Sequence, residues 1–131
     1  MSTIDNNEDA ISPPLILLAE DNEANIITIS AYLQAKGYRL IIAKDGQEAV
    51  DLILSASPDL VLMDIQMPSM DGIEAIKLIR NKNNLTDLPI IALTALAMAG
   101  DREKCLEAGA TDYMSKPIKL KQLAATIQQY L

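Results

Sequence analysis

The chain contains 131 residues, and at about 100 to 200 residues per domain this length leaves room for one folded domain. Half of the residues are hydrophobic, but Trp and Phe are absent and Tyr occurs four times, so the core must be built from Ile, Leu, Val, Ala and Met. The net charge of −7, from 11 basic and 18 acidic residues, argues against a nucleic acid or an anionic membrane surface as the main partner.

Histidine is absent from the chain, which excludes Ser-His-Asp and Cys-His catalysis, His-ligated zinc and a phosphohistidine on the chain itself. The single cysteine, Cys105, permits no internal disulfide. The longest apolar stretch, Pro89 to Gly100, is far shorter than the roughly 20 residues of a membrane helix, and the N-terminus lacks the features of a signal peptide. We therefore expect a cytoplasmic protein with no membrane contact.

The first 14 residues differ in composition from the rest of the chain. They carry Asp5, Glu8 and Asp9 without a basic residue, and they end in two prolines that neither a helix nor a central strand tolerates. We expect residues 1–14 to form a flexible acidic tail and residues 15–131 to form the folded domain, which then carries a net charge of −4.

From Leu15 onward, short apolar runs alternate with helix-length periodic segments, a pattern typical of βα units around a parallel sheet. The predicted strands are Leu15 to Ala19, Tyr38 to Ala43, Leu60 to Met63, Ile90 to Leu93 and Asp112 to Ser115. The predicted helices cover residues 23–36, 47–55, a segment that opens at Gly72, residues 101–108, and a last segment with an apolar stripe of Leu120, Leu123, Ala124, Ile127 and Leu131. These elements predict an α/β fold of five βα units.

The sequence also predicts a helix cap, a turn, a loop and the role of the single cysteine. Asn22 can cap the first helix, in which Ile26, Ile27, Ile29 and Leu33 have roughly helical spacing. Residues 44–46 resemble an ordinary turn, and residues 81–89 a polar loop. Cys105 is expected to be a packing or surface residue and not a reactive thiol.

Polar residues stand at the carboxyl ends of the predicted strands, where doubly wound sheets bind their ligands. These residues are Glu20, Asp21, Asp64, Thr94 and Lys116. If the first and third strands are neighbours, the three carboxylates share one small cleft, and their repulsion raises at least one carboxyl pKa unless a cation lies among them. Mg²⁺ suits such a set of carboxylates, and together with the lysine and the hydroxyl they are the parts of a phosphoryl-transfer site.

Five segments carry a resemblance to a known family: LILLAEDN, DLVLMDIQMPSMDG, PIIALTA, GATDY and SKP. In this order and spacing they resemble the response-regulator receiver domain over essentially all of residues 15–131. The resemblance implies a flavodoxin-like (βα)5 fold with a doubly wound five-stranded parallel sheet of strand order 2-1-3-4-5.

The resemblance also implies a phosphorylation chemistry. Asp64 would be the nucleophile that takes a phosphoryl group from a phosphohistidine on a partner histidine kinase or histidine phosphotransfer protein. Lys116 would then pair with the phosphoryl oxygens, aimed by a cis peptide bond to Pro117. The small Ala95 would leave a path for the incoming phosphohistidine.

A metal site follows from the same resemblance. Asp21 and Asp64 would bind Mg²⁺ directly, with Mn²⁺ as the substitute ion, and the backbone carbonyl of Gln66 would join them. Glu20, where aspartate is commoner in the family, would act through a bound water.

The family further implies a switch. The Thr94 hydroxyl would swing toward the phosphoryl group and Tyr113 would repack inward, which signals the state of the site to a downstream protein partner at the fourth helix, fifth strand and fifth helix. Gln66 and Leu96 would flank the route of the hydrolytic water.

The residues fit more than one function. We expect a signalling switch whose chemistry is limited to self-phosphorylation and slow autodephosphorylation, either as a stand-alone regulator or as a receiver excised from a hybrid sensor kinase. The main alternative is a receiver-like binding module that acts regardless of phosphorylation. An aspartate-nucleophile phosphatase would need a second acid where Gln66 stands, and a flavin carrier would need a hydroxyl-rich phosphate loop and aromatic rings for stacking.

Overall fold

Five short apolar runs form the parallel strands of one sheet. The computed structural model describes residues 12–95 and 100–131. Its strands are β1 (Leu15–Ala19), β2 (Arg39–Ala43), β3 (Leu60–Asp64), β4 (Ile90–Thr94) and β5 (Asp112–Ser115). They lie in the order β2-β1-β3-β4-β5, and every neighbouring pair is parallel, as the resemblance implies. All residues of β3 and β4 are buried, because helices cover both faces of these central strands.

The helices divide between the two faces of the sheet. They are α1 (Glu23–Ala35), α2 (Gly46–Ala56), α3 (Gly72–Lys77), α4 (Asp101–Ala108) and α5 (Leu120–Tyr130). One hydrophobic cluster joins α2, α3 and α4 to the sheet, and a second joins α1 and α5 to its other face. The sheet is therefore doubly wound, and the side chains of successive strand positions enter opposite clusters.

Two apolar residues that the sequence analysis grouped with core-facing residues of the first and last helices are exposed. Ile27 is 64% exposed, because the core face of α1 takes Ile26, Ile29 and Leu33, at intervals of three and four residues, and Ile27 lies about 100° round the helix from Ile26. Leu131 is 48% exposed and lies beyond the end of α5. Cys105 is buried in the cluster of α2, α3 and α4, which agrees with its predicted packing role.

Of the residues predicted to form a turn, Lys44 and Asp45 form a bend, and Gly46 already begins α2. The Asp45 carboxylate accepts a hydrogen bond from the Glu48 N–H at 2.8 Å and caps α2. The Glu48 carboxylate in turn accepts a hydrogen bond from the Lys44 N–H at 2.7 Å. The predicted cap at Asn22 is observed, and Gly37 and Gly109, both with positive φ, lie just beyond the ends of α1 and α4.

The predicted polar loop begins later than expected, because α3 continues into a π-helical turn over residues 78–82. Arg80 within this turn donates hydrogen bonds to the Gly109 carbonyl at 2.8 Å, the Leu85 carbonyl at 2.6 Å and the Thr111 hydroxyl at 3.2 Å. The guanidinium therefore ties the π-helical turn to the connection between α4 and β5.

Some expectations fall on residues outside the described ranges. These are residues 1–11 of the expected tail, and Leu96. Of the tail's last residues, Pro13 accepts a hydrogen bond from Arg39 Nε at 2.9 Å, and Pro14 accepts one from the Arg39 N–H at 3.0 Å. Among the helices that the structure describes, none has the length and apolar character needed to cross a membrane.

Replacing Arg80 with Met keeps most of the aliphatic stem but removes all three hydrogen bonds. We expect the Arg80→Met variant to lower the free energy of unfolding by about 1–3 kcal/mol, because half-buried carbonyls lose a charged donor. Urea denaturation measures this loss, with Arg102→Met, a change at an exposed arginine, as the control. Equal stability of the two variants would contradict a structural role for the Arg80 contacts.

Candidate functional site

Three carboxylates converge where β1 and β3 end. The two strands are neighbours with Ala19 opposite Met63, so Glu20 and Asp21 emerge beside Asp64. One oxygen from each carboxylate lies within 4.8 Å of the others. Glu20 and Asp64 are 0% and 1% exposed, whereas Asp21 faces solvent. Burial of two neighbouring carboxylates is costly unless a positive charge compensates them.

Lys116 supplies one compensating charge. Its Nζ lies 2.9 Å from Asp64 Oδ2 and 3.1 Å from Glu20 Oε1. The lysine follows β5, and its N–H donates to the Thr94 carbonyl at 2.7 Å, which fixes the backbone next to the end of β4. The peptide bond from Lys116 to Pro117 is cis, which confirms that prediction.

The pKa values of the pair respond to burial and to each other's charges. Burial raises the pKa of Glu20 above its ordinary value, and the charge of Asp64 raises it further, against the opposing effects of the Asn22 N–H and Lys116. Burial alone lowers the pKa of Lys116, but the hydrogen bonds and charges of Asp64 and Glu20 outweigh burial and raise it. Lys116 therefore stays in its charged form. The Glu20 carboxylate is stabilised by the binding of a further cation or of a proton.

The carboxylate cluster fits a divalent cation. Glu20 Oε2 accepts a hydrogen bond from the Asn22 N–H at 3.2 Å. The buried Oε1 accepts no hydrogen bond from the residues that the structure describes, and it forms an ion pair with Lys116. A hard ion such as Mg²⁺ takes oxygen ligands from one or two carboxylates and keeps several waters. Asp21 and Asp64 could hold the ion, and Glu20 could orient one of its waters.

The loop after β3 orders the Asp64 carboxylate. The Gln66 N–H donates to Asp64 Oδ1 at 3.0 Å, and Gln66 Oε1 accepts from the Ala95 N–H at 3.4 Å. Both oxygens of Asp64 are thereby held, one by Gln66 and the other by Lys116. The Gln66 side chain also joins the loop after β3 to the loop after β4.

Gly72 is a site residue that the sequence analysis read only as the start of a helix. A Cβ at this position would lie 2.5 Å from the Asp64 carbonyl oxygen and 2.7 Å from the Ile65 Cα, which is closer than real Cβ atoms come. The glycine therefore lets α3 begin directly against the end of β3. The DG at the end of the DLVLMDIQMPSMDG segment is the sequence signal that could have indicated this close approach.

The remaining predicted residues lie on neighbouring strands. Thr94 ends β4 with 2% exposure, so it stands at the same edge of the sheet as Asp64. Tyr113 lies on β5 opposite Ala92, is half-buried and packs against the cluster of α2, α3 and α4. The structure thus brings together Glu20, Asp21, Asp64 and Lys116, and it places Thr94 at their edge and Tyr113 farther back along the sheet.

Comparison with known proteins identifies the class to which this fold and site belong. Residues 16–128 match the family described as the response regulator receiver domain. The chain therefore belongs to the response regulator receiver family. Members of this family are signalling switches of two-component systems and not classical enzymes.

The similar proteins include a response regulator and the receiver domain of a sensor kinase. The chain is 40% identical to the polar-differentiation response regulator DivK of Brucella anthropi, over 91% of this chain and 97% of the relative. It is 43% identical to the receiver domain of the sensor histidine kinase PA1611 of Pseudomonas aeruginosa, a structure with a magnesium ion in its active-site cleft. That structure has a TM-score of 0.83 and covers 90% of this chain and 97% of its own.

The likeness extends to a chemotaxis protein. The structure of the response regulator CheY4 of Vibrio cholerae matches with a TM-score of 0.84 and 29% identity, over 91% of this chain and 99% of that one. The likeness at this identity supports the (βα)5 architecture with the same doubly wound sheet.

Removing one exposed carboxylate tests the metal site. We expect Asp21→Asn to weaken the binding of Mg²⁺ by about tenfold or more, because one anionic oxygen ligand is lost while the buried pair of Lys116 with Asp64 is kept. Isothermal calorimetry with Mg²⁺ and with Mn²⁺ measures the affinity. Glu107→Gln, which removes the same charge from an exposed site on α4, should bind either ion as the unmodified chain does. Equal affinities for both variants would contradict the site.

Proposed function

We propose that Asp64 accepts a phosphoryl group from a phosphohistidine of a histidine kinase or a histidine phosphotransfer protein, and that a downstream protein reads the phosphorylated state. The observation that carries this proposal is the buried Asp64 carboxylate held at 2.9 Å by Lys116. A lysine in this position is already placed to neutralise the charge that arrives with a phosphoryl group.

The transfer exchanges one bond to phosphorus for another. An Asp64 carboxylate oxygen forms a bond to phosphorus while the bond from phosphorus to the donor imidazole nitrogen breaks. The other ring nitrogen of the donor imidazole carries a proton, so the imidazole keeps the electron pair of the broken bond and leaves as neutral histidine. Asp64 becomes an acyl phosphate, which water hydrolyses slowly to inorganic phosphate and free carboxylate. The chain contributes positioning and charge, which supply most of the catalysis in phosphoryl transfer.

Charge compensation in this reaction is divided between two groups. Asp21 and Asp64 would hold Mg²⁺, which would supply positive charge for the phosphoryl oxygens. Lys116 contacts Asp64 Oδ2, and its ammonium lies 3.1 Å from Glu20 Oε1. The Gln66 N–H donates to Oδ1 of the attacking Asp64 carboxylate and can stay with it through the reaction.

A cleft beside the site gives the donor a route to Asp64. The cleft has a volume of about 470 Å³ and opens onto Glu20 and Lys116. Residues of α1, Ala95, and the segment from Pro117 to Ile118 form its walls. Small side chains at the mouth leave space for an imidazole ring, so we place the phosphohistidine donor over this cleft.

The output is proposed to run from Thr94 to the surface of α4, β5 and α5. Thr94 ends β4, and Tyr113 lies on β5, the next strand of the sheet. Movement of the Thr94 hydroxyl toward a phosphoryl group changes the space that Tyr113 occupies between β4 and α4. The likeness to both DivK and a sensor-kinase receiver supports a protein partner in either a stand-alone or a hybrid setting.

Phosphorylation by a small-molecule donor tests the proposed acceptor. We expect acetyl phosphate with Mg²⁺ to add one phosphoryl group to the unmodified chain and none to Asp64→Asn, because the amide is not a nucleophile of comparable strength. Intact mass spectrometry measures the addition, with Asp51→Asn, a change at an exposed aspartate, as the matched control. A phosphoryl group retained in Asp64→Asn would refute the acceptor, and none in any variant would favour a module that binds independently of phosphorylation.

Loss of the pairing lysine should separate phosphorylation from switching. We expect Lys116→Ala to be phosphorylated more weakly by acetyl phosphate, and its phosphorylated form to leave the NMR signals of the Tyr113 ring unchanged, because no cation draws the phosphoryl group toward β4 and β5. Lys77→Ala, at an exposed position on α3, should behave as the unmodified chain does. A normal response of Tyr113 in Lys116→Ala would contradict the relay.

A further inference from the structure

A second groove lies between α1 and α5, and we propose that it binds the acidic segment Asp5 to Asp9 of the same chain. The groove has a volume of about 480 Å³, and its walls include Tyr32, Lys36, Tyr38, Lys121 and Gln128. We call it the α1–α5 groove. Lys36 and Lys121 are both exposed, and the Lys36 ammonium lies 5.4 Å from the centre of the Tyr32 ring. No acidic residue lines the groove among the described residues.

The charge of the surrounding surface favours an anionic occupant. From residue 24 to residue 44 the sequence contains three basic residues and no acidic one, and from residue 113 to residue 131 it again contains three basic residues and no acidic one. Lys44 pairs with Glu23, and Lys116 pairs with Glu20 and Asp64, so the charges that remain for the groove are those of Lys36, Arg39, Lys119 and Lys121. The chain as a whole carries a net charge of −7. Positive charge is thus concentrated on the elements that form the α1–α5 groove, where it attracts acidic segments.

The connection between the folded domain and the acidic segment starts beside this groove. Pro13 and Pro14 accept hydrogen bonds from the side chain and the backbone of Arg39, the residue after Tyr38 in the wall of the groove. Asp9 precedes Pro13 by four residues, so its backbone can extend about 14 Å from this anchor at up to about 3.6 Å per residue. Glu8 and Asp5 lie farther along the chain from the anchor and so have a longer reach.

Tethering makes such weak contacts effective. Ion pairs between exposed side chains contribute little when they form between separate molecules. A short linker, however, gives the acidic segment an effective concentration in the millimolar range near the groove. Salt should weaken the interaction, since the Debye length falls from about 10 Å at 0.1 M to about 3 Å at 1 M.

Amide NMR spectra of the full chain test this inference without involving Asp64 or phosphorylation. The probe is the triple variant Asp5→Asn, Glu8→Gln, Asp9→Asn, compared with the unmodified chain at 0.05 M and 1 M NaCl. We expect shift changes at Lys36, Tyr38, Lys121 and Gln128 that shrink at least about threefold at 1 M salt. The double variant Lys36→Gln, Lys121→Gln should abolish the response of the groove to the triple change, whereas Lys77→Gln, Lys82→Gln should leave it intact.

Two outcomes would overturn the inference. Shift changes confined to residues 1–14 would show that the acidic segment does not meet the α1–α5 groove. Changes in the groove that grow with protein concentration would assign the contact to a second copy of the chain. Because the spectra are recorded on unphosphorylated protein, a negative result leaves the proposal for Asp64 unaffected.

Discussion

The ion pair of Lys116 with Asp64 compensates part of the negative charge at the carboxyl edge of the sheet, and the rest of the site depends on this ion pair. Three carboxylates meet there against one ammonium group, so two negative charges remain when all are ionised. Two of the carboxylates are almost completely buried, where uncompensated charge is costly. Burial, and after it the charge of Asp64, raises the pKa of Glu20. A site of this kind is prepared to take up positive charge.

The strand order creates this convergence. Glu20 and Asp64 are distant in the sequence and meet because β1 lies directly beside β3, while Lys116 reaches them from the far edge strand. Close packing then fixes the arrangement. A side chain at Gly72 would collide with the Asp64 carbonyl, and Arg80 ties the turn after α3 to the segment that leads into β5. Apolar strands and polar contacts thus hold one small acidic cleft in place.

The sequence predicts the strands well because both faces of the sheet are covered, so that β3 and β4 are continuous apolar runs. It also places the acidic residues, since each follows such a run. The hydrophobic periodicity of a strand does not show which strands lie beside it. The strand order was predicted from the resemblance to the family. Contacts such as Arg80 with Gly109 join residues 29 positions apart and leave no local pattern. Helical spacing alone did not show that Ile27 faces solvent.

Lys116 connects the acidic cleft to the strands that lead away from it. Its ammonium group contacts Asp64 at the end of β3, while its backbone N–H is bonded to Thr94 at the end of β4. A charge change on Asp64 therefore acts on a residue whose backbone is part of the pairing between β4 and β5. A shift of the Lys116 backbone would alter the position of β5 relative to Thr94. This covalent and hydrogen-bonded continuity supports our proposal that α4, β5 and α5 form the responding surface.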